Sequence, residues 1–247
     1  MFEQIFVENI TEIFLLAVGA SFIQRTTGFG FGIFIMTLLP FLMPSYGEAT
    51  ALSGLLAFTT SLIASIKYRR FITWRRLIPI LSIFLITSTI AISVLSKMEN
   101  GTIRFILGFI LIFVSIWFAF LNKRIRFGTT LPYQLGAGSV SGLMGGFFGM
   151  HGPPAVLYFI SCEKDKEHYM GMIQTYAVIT NVTMLIVRFY NGYVTPVVWT
   201  SYLYGLAGLV IGILAGNWAY NRIPNRLFTY FVYGYIGISG LIIFLTA

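Results

Sequence analysis

Two short stretches hold the residues best suited to chemistry: QRTTGFGFG at 24 to 32 and GGFFGMHGPP at 145 to 154. Each interrupts a long apolar segment. A helix that begins at such a break presents unbonded backbone N–H groups and the positive end of its dipole, which suits an anion. Glycine lets a ligand come close to the backbone. In the first stretch, with Gly28 leading in, the new half-helix should start near Gly30 and offer the amides of Gly30, Phe31 and Gly32. In the second, Pro153 and Pro154 fit a first helical turn, so Gly152 and Ala155 remain as donors, with Gly149 just before them. The other use of these glycines is close helix packing.

Arg25 stands in the first stretch beside Gln24, Thr26 and Thr27. A cation at membrane depth is a functional candidate, able to pair with a sulfonate or carboxylate through two parallel hydrogen bonds; the competing reading is a side chain that snorkels to the surface or pins backbone carbonyls. His151 is the one group in the second stretch that titrates near neutral pH, so it is a candidate for coupling anion movement to protons, or else a hydrogen-bonding residue of the interior. Gln174 and Asn181 are seven residues apart and face the same way on a helix. They either line a path or join helices. Thr59 keeps a polar group at the position equivalent to Asn181 in the first half.

The elements that position these residues follow from a duplication. Shifted by 122 positions, the chain falls on itself without a gap: Gly30 meets Gly152, Tyr68 meets Tyr190, Thr73 meets Thr195, Arg104 meets Arg226 and Phe109 meets Phe231. Repeat one covers about 7–121 and repeat two about 135–246 of a single membrane-embedded domain, 1–247. The sequence is 57% hydrophobic and 10% charged, against about 25% charged for a soluble domain. Apolar stretches near 49–66, 77–96, 103–121, 172–190, 197–220 and 227–246 are each long enough to cross a bilayer core of roughly 30 Å. No soluble domain is left over. The acidic opening MFEQIFVENITE lacks the positive region of a secretory signal, so the first apolar segment is expected to stay in the mature protein.

The net charge of +8 comes from Lys and Arg in short loops between spans, which argues for membrane orientation rather than nucleic acid. If both broken segments are hairpins that enter and leave on one side, the loops at 67–76, 122–126, 163–168 and 221–226 share a face carrying twelve basic residues. Lys97 and Arg104 alone fall opposite. This asymmetry predicts cytoplasmic basic loops with both termini outside. Each repeat is then a broken helical hairpin followed by three transmembrane helices, and the odd number of crossings inverts the second repeat. The fold expected is an all-α polytopic membrane protein whose hairpin tips approach each other near the midplane, buried because unsatisfied amides in lipid are costly.

The runs GASFIQRTTGFGFG at 19–32 and SGLMGGFFGMHGPP at 141–154, with the equal halves of one chain, resemble the sulfite exporter TauE/SafE family of membrane transporters. The resemblance implies movement of small anions, such as sulfite, thiosulfate, sulfonates and related carboxylates, across the plasma membrane. His151-Gly152-Pro153-Pro154 departs from the commoner triple-glycine form of the second tip, and the lone Cys162 argues against a relay of cysteines.

The resulting expectation is a secondary transporter working by alternating access, with a small anionic substrate, a proton or sodium ion as coupling partner, and the lipid bilayer as its medium. No cofactor and no metal site are expected, and pairing into a homodimer is compatible with the sequence. The alternatives are a membrane-embedded enzyme and a non-transporting structural or partner-binding protein. An enzyme is not expected, because the chain has no HExxH, no GxSxG and no carboxylate pair.

Overall fold

The computed structural model describes residues 9–27, 30–116, 128, 130–163, 165–220, 237–238 and 240–245. All regular structure among them is helical. The helices are α1 (Ile10–Thr27), α2 (Phe31–Ile35), α3 (Leu39–Leu42), α4 (Tyr46–Tyr68), α5 (Trp74–Leu95), α6 (Asn100–Ile116), α7 (Leu131–Phe148), α8 (Gly152–Cys162), α9 (Lys166–Tyr190) and α10 (Pro196–Tyr220). Four described stretches, 46–71, 74–95, 167–190 and 196–219, are long and apolar enough to cross a membrane. They correspond to four of the six expected spans and make this a polytopic membrane protein. The remainder of the span at 103–121, most of that at 227–246, and the basic loops at 122–126 and 221–226 lie outside the described residues.

Both broken segments fold back on themselves. At the open end of the first, Asn9 Nδ2 donates to the Leu42 carbonyl at 3.1 Å, so the chain returns to the level at which α1 began. Within that hairpin, Phe34 lies on Gly19, where a Cβ would stand 2.7 Å from its ring. The second hairpin, α7 and α8, closes where the Cys162 thiol meets the Gly128 carbonyl at 3.9 Å.

Local sequence sets the helix boundaries. Ser45 caps the start of α4: its hydroxyl accepts from the Glu48 amide and donates to the Glu48 carboxylate. Asp165 caps α9, and its hydrogen bond with the His168 ring holds its carboxyl below the ordinary range. Pro132, Pro153 and Pro196 sit in first turns, where a missing N–H removes no helix bond.

The strongest helix pairings are α1 with α10, α5 with α7, and α4 with α9. Shifting by 122 residues carries α1 onto α7, α5 onto α10 and α4 onto α9, so the first two pairings exchange and the third maps onto itself. Glycine stripes explain the closeness of the first two. Cβ atoms at Gly138, Gly142 and Gly146 would lie 2.6, 2.9 and 2.8 Å from the carbonyl oxygens of Ile80, Phe84 and Ser88. Those at Gly208, Gly212 and Gly216 would all lie within 3.2 Å of the carbonyl oxygens of Phe14, Val18 and Phe22. Such small-xxx-small stripes let backbones touch where lipid supplies no hydrophobic drive. Helices α4 and α9 run antiparallel, since Ser65 bonds Thr175 at 3.0 Å while Gly54 faces Arg188.

Candidate functional site

The helices break later than the polar residues. Gln24 and Arg25 remain in the last turns of α1, and the chain restarts at Gly30, whose φ of 94° is left-handed and favours glycine. Its carbonyl accepts from Phe34, the first bond of α2, so the amides before Phe34 have no helical acceptor. At the second tip Gly149, with φ 67°, ends α7, and its amide and that of Met150 close onto the carbonyls of Gly145 and Met144. Helix α8 begins two residues later.

The two tips touch. A Cβ on Gly32 would lie 2.7 Å from the Gly149 carbonyl oxygen. Between them is a cavity of about 60 Å³, bounded by Gln24, Gly30, Gly32, Gly149, His151 and Gly152 from the hairpins, and by Ser61 of α4 and Gln174, Tyr176 and Asn181 of α9. One water needs about 10–15 Å³ of such space, so the cavity suits a solute of a few heavy atoms. Gly152 has nothing within 4 Å of a would-be Cβ. Neither packing nor a positive φ calls for glycine there; its absent side chain leaves the cavity open.

Hydrogen bonds fix part of the lining. The Gln24 amide accepts from Thr60 at 2.8 Å and donates to Ser61 at 3.4 Å. Asn181, 1% exposed, has an amide nitrogen without a partner among the described residues. Tyr176 donates to Ser141 at 2.7 Å, and Ser141 donates to the backbone carbonyl of His151, which locks the second tip. The imidazole is buried edge-on against Phe84 and near Tyr176, and its Nδ1 has no partner among the described residues.

Other sequence-selected residues lie elsewhere. Arg25 donates through Nε to Asn217 of α10 and lines a second space of about 150 Å³ with Lys67, Thr60 and Asn217. This vestibule shares Gln24 and Gln174 with the central cavity, so the two adjoin. Thr26 is buried and turned back onto the carbonyls of Phe22 and Ile23. Pro153 faces an apolar groove with Met144 and Leu157. Gly28 and the side chain of Thr27 are outside the described residues. Among the described residues no cluster of His, Cys, Asp and Glu is arranged to hold a metal.

One buried charge escaped the sequence reading. Arg188 is fully buried on α9 and donates from Nη2 to the carbonyls of Gly145 and Gly146 at 2.9 and 3.3 Å. It continues the spacing of Gln174 and Asn181 by another seven residues, and that continuation was the available signal.

Compared with known proteins, residues 13–243 match the family described as Sulfite exporter TauE/SafE. No match is found among curated proteins or among solved structures.

Proposed function

Because the chain belongs to the sulfite exporter TauE/SafE family of membrane transporters, we propose that it carries a small anion by alternating access, with the substrate held between the two hairpin tips near the bilayer midplane. The observation that carries this reading is the small cavity at the tip contact, with amide and hydroxyl groups on its wall, which Gly152 leaves open although nothing in the packing or backbone requires glycine there. In this reading Gly30, Gly149 and Gly152 present backbone, Gln24, Gln174 and Asn181 orient the anion, and Thr26, Thr27, Gly28 and Pro153 shape the tips. Arg25 and Lys67 draw the anion into the vestibule. His151 puts an imidazole on the cavity wall, a candidate carrier if the coupling ion is a proton rather than sodium.

Antiparallel packing of α4 against its own repeat mate α9 supports inverted repeats of about 7–121 and 135–246, which place equivalent tips on opposite sides of one site. The cavity's size favours sulfite, thiosulfate or a short sulfonate or carboxylate; the family favours the plasma membrane, and the charge of the basic loops favours a vestibule that faces the cytoplasm. The test is flux of radiolabelled anions into vesicles reconstituted with the purified chain. Transport of one or more of these anions by wild type, lost in Gly152→Val, is expected. Flux equal to empty vesicles across the panel would overturn the reading.

A further inference from the structure

Arg188 is 0% exposed, and besides the Nη2 bonds to Gly145 and Gly146 its Nε and Nη1 have no hydrogen-bond partner among the described residues. No carboxylate among the described residues lies within ion-pair distance of it. Glu48, the one acid among the buried described residues, is engaged by the hydroxyls of Ser45 and Thr195 instead. A guanidinium stays ionised in a protein, and a buried charge without a counter-ion is expensive. The carbonyl end of α7 offsets part of this charge, since a helix C-terminus carries roughly half a negative charge. The rest of the positive potential falls on the tip that α7 leads into, where Gly145 packs against His151 and the next residues line the cavity.

We propose that Arg188 supplies the counter-charge for the transported anion, acting as a positioning residue through the α7 tip that it grips. The cavity itself is lined by neutral groups and an imidazole, and Arg25 is committed to Asn217 in the vestibule. The guanidinium therefore sits where a mobile anion completes its neutralisation. Apart from His151, the groups that interact with its charge are Tyr46 of α4 and Tyr193 beyond α9, and neither is an acid.

This assignment rests on the anion-transport reading, and three variants separate it from a structural role. Arg188→Gln removes the charge; Arg188→Lys keeps it. Gly54→Asp keeps the arginine but neutralises it in place, because a Cβ at Gly54 would lie 3.7 Å from Nη1 with only ordinary contacts around it. Sulfite is titrated calorimetrically into the full-length protein in nanodiscs, with thiosulfate, a short sulfonate and a short carboxylate tried in turn if sulfite gives no heat. Arg188→Gln and Gly54→Asp should each weaken anion binding at least ten-fold, Arg188→Lys less than ten-fold, and Gly54→Asp should melt no lower than wild type. If Arg188→Gln does not fold, Gly54→Asp decides. A folded Gly54→Asp or Arg188→Gln protein that loses less than ten-fold, or an Arg188→Lys protein that loses as much as Arg188→Gln, would overturn the assignment and leave the transport reading standing. A wild type that binds none of the four anions would overturn both.

Discussion

Gly32 of the first hairpin lies directly on the carbonyl of Gly149 in the second, so close that a single methyl on Gly32 would reach 2.7 Å from that oxygen. The contact is backbone against backbone, and neither side can move aside as a flexible side chain would. Further along the second tip, Gly152 faces open space instead. The two glycines, Gly32 and Gly152, therefore do different work.

Gly32→Ala should separate the tips and cost about 1–3 kcal/mol, as overpacking of a tight contact does, and so lower Tm by several degrees. Gly152→Val should leave Tm within about a degree while abolishing anion binding, because the added methyls enter the cavity. Melting curves and binding titrations on both variants check the contrast. Equal loss of stability in the two would mean that both glycines serve packing.

Asn181 is buried with an unpartnered amide nitrogen on the cavity wall. A hydrogen bond to a charged partner contributes about 1.5–3 kcal/mol, so Asn181→Leu should weaken anion binding roughly 10- to 100-fold. The same change removes an unsatisfied buried donor, and the ligand-free protein should melt at the same temperature or higher. A lower Tm with unchanged affinity would make Asn181 a helix-joining residue.

The hairpins were legible because glycine and proline mark where a helix must stop and restart, and because loop charge constrains which ends share a side. Gln174 and Asn181 were legible because seven residues make two turns of one helix. Arg188, on the same face, was not read that way: two residues from the end of its span and beside Phe189 and Tyr190, an arginine looks like an interfacial anchor. Its burial depends on Gly54 and on carbonyls 43 and 42 positions away. Arg25 shows the converse, since its amide partner Asn217 is 192 residues distant and nothing local foretells the pairing. The glycine stripes on α7 and α10 were visible as spacing, but only the partner backbones reveal what they are for.

His151 brings an imidazole to the cavity wall, with Tyr176, through Ser141, fixing its backbone. If it carries the coupling proton, His151→Gln keeps a hydrogen-bonding group but should remove the pH dependence of the rate of transport. Initial rates in vesicles at fixed anion concentration measure this. A profile that survives the substitution would assign coupling to sodium or to the anion's own protonation.

The membrane sidedness of the second hairpin can be tested directly, because its two ends meet at Gly128 and Cys162 and must therefore lie on one side. In a Cys162→Ser background, single cysteines at Thr130 and Asp165 flank that hairpin, and one at Glu99 marks the turn after α5; all three sites are exposed. If the loops that carry the twelve basic residues are cytoplasmic, Thr130 and Asp165 lie inside and Glu99 outside. An impermeant maleimide on intact cells should then label Glu99→Cys and spare the other two until the cells are opened. Labelling of Thr130→Cys and Asp165→Cys together, with Glu99→Cys spared, would turn the protein over and put the vestibule of Arg25 and Lys67 outside. Labelling of only one of the hairpin pair would mean that the segment crosses the bilayer, and the inverted arrangement of the two repeats would be lost with it.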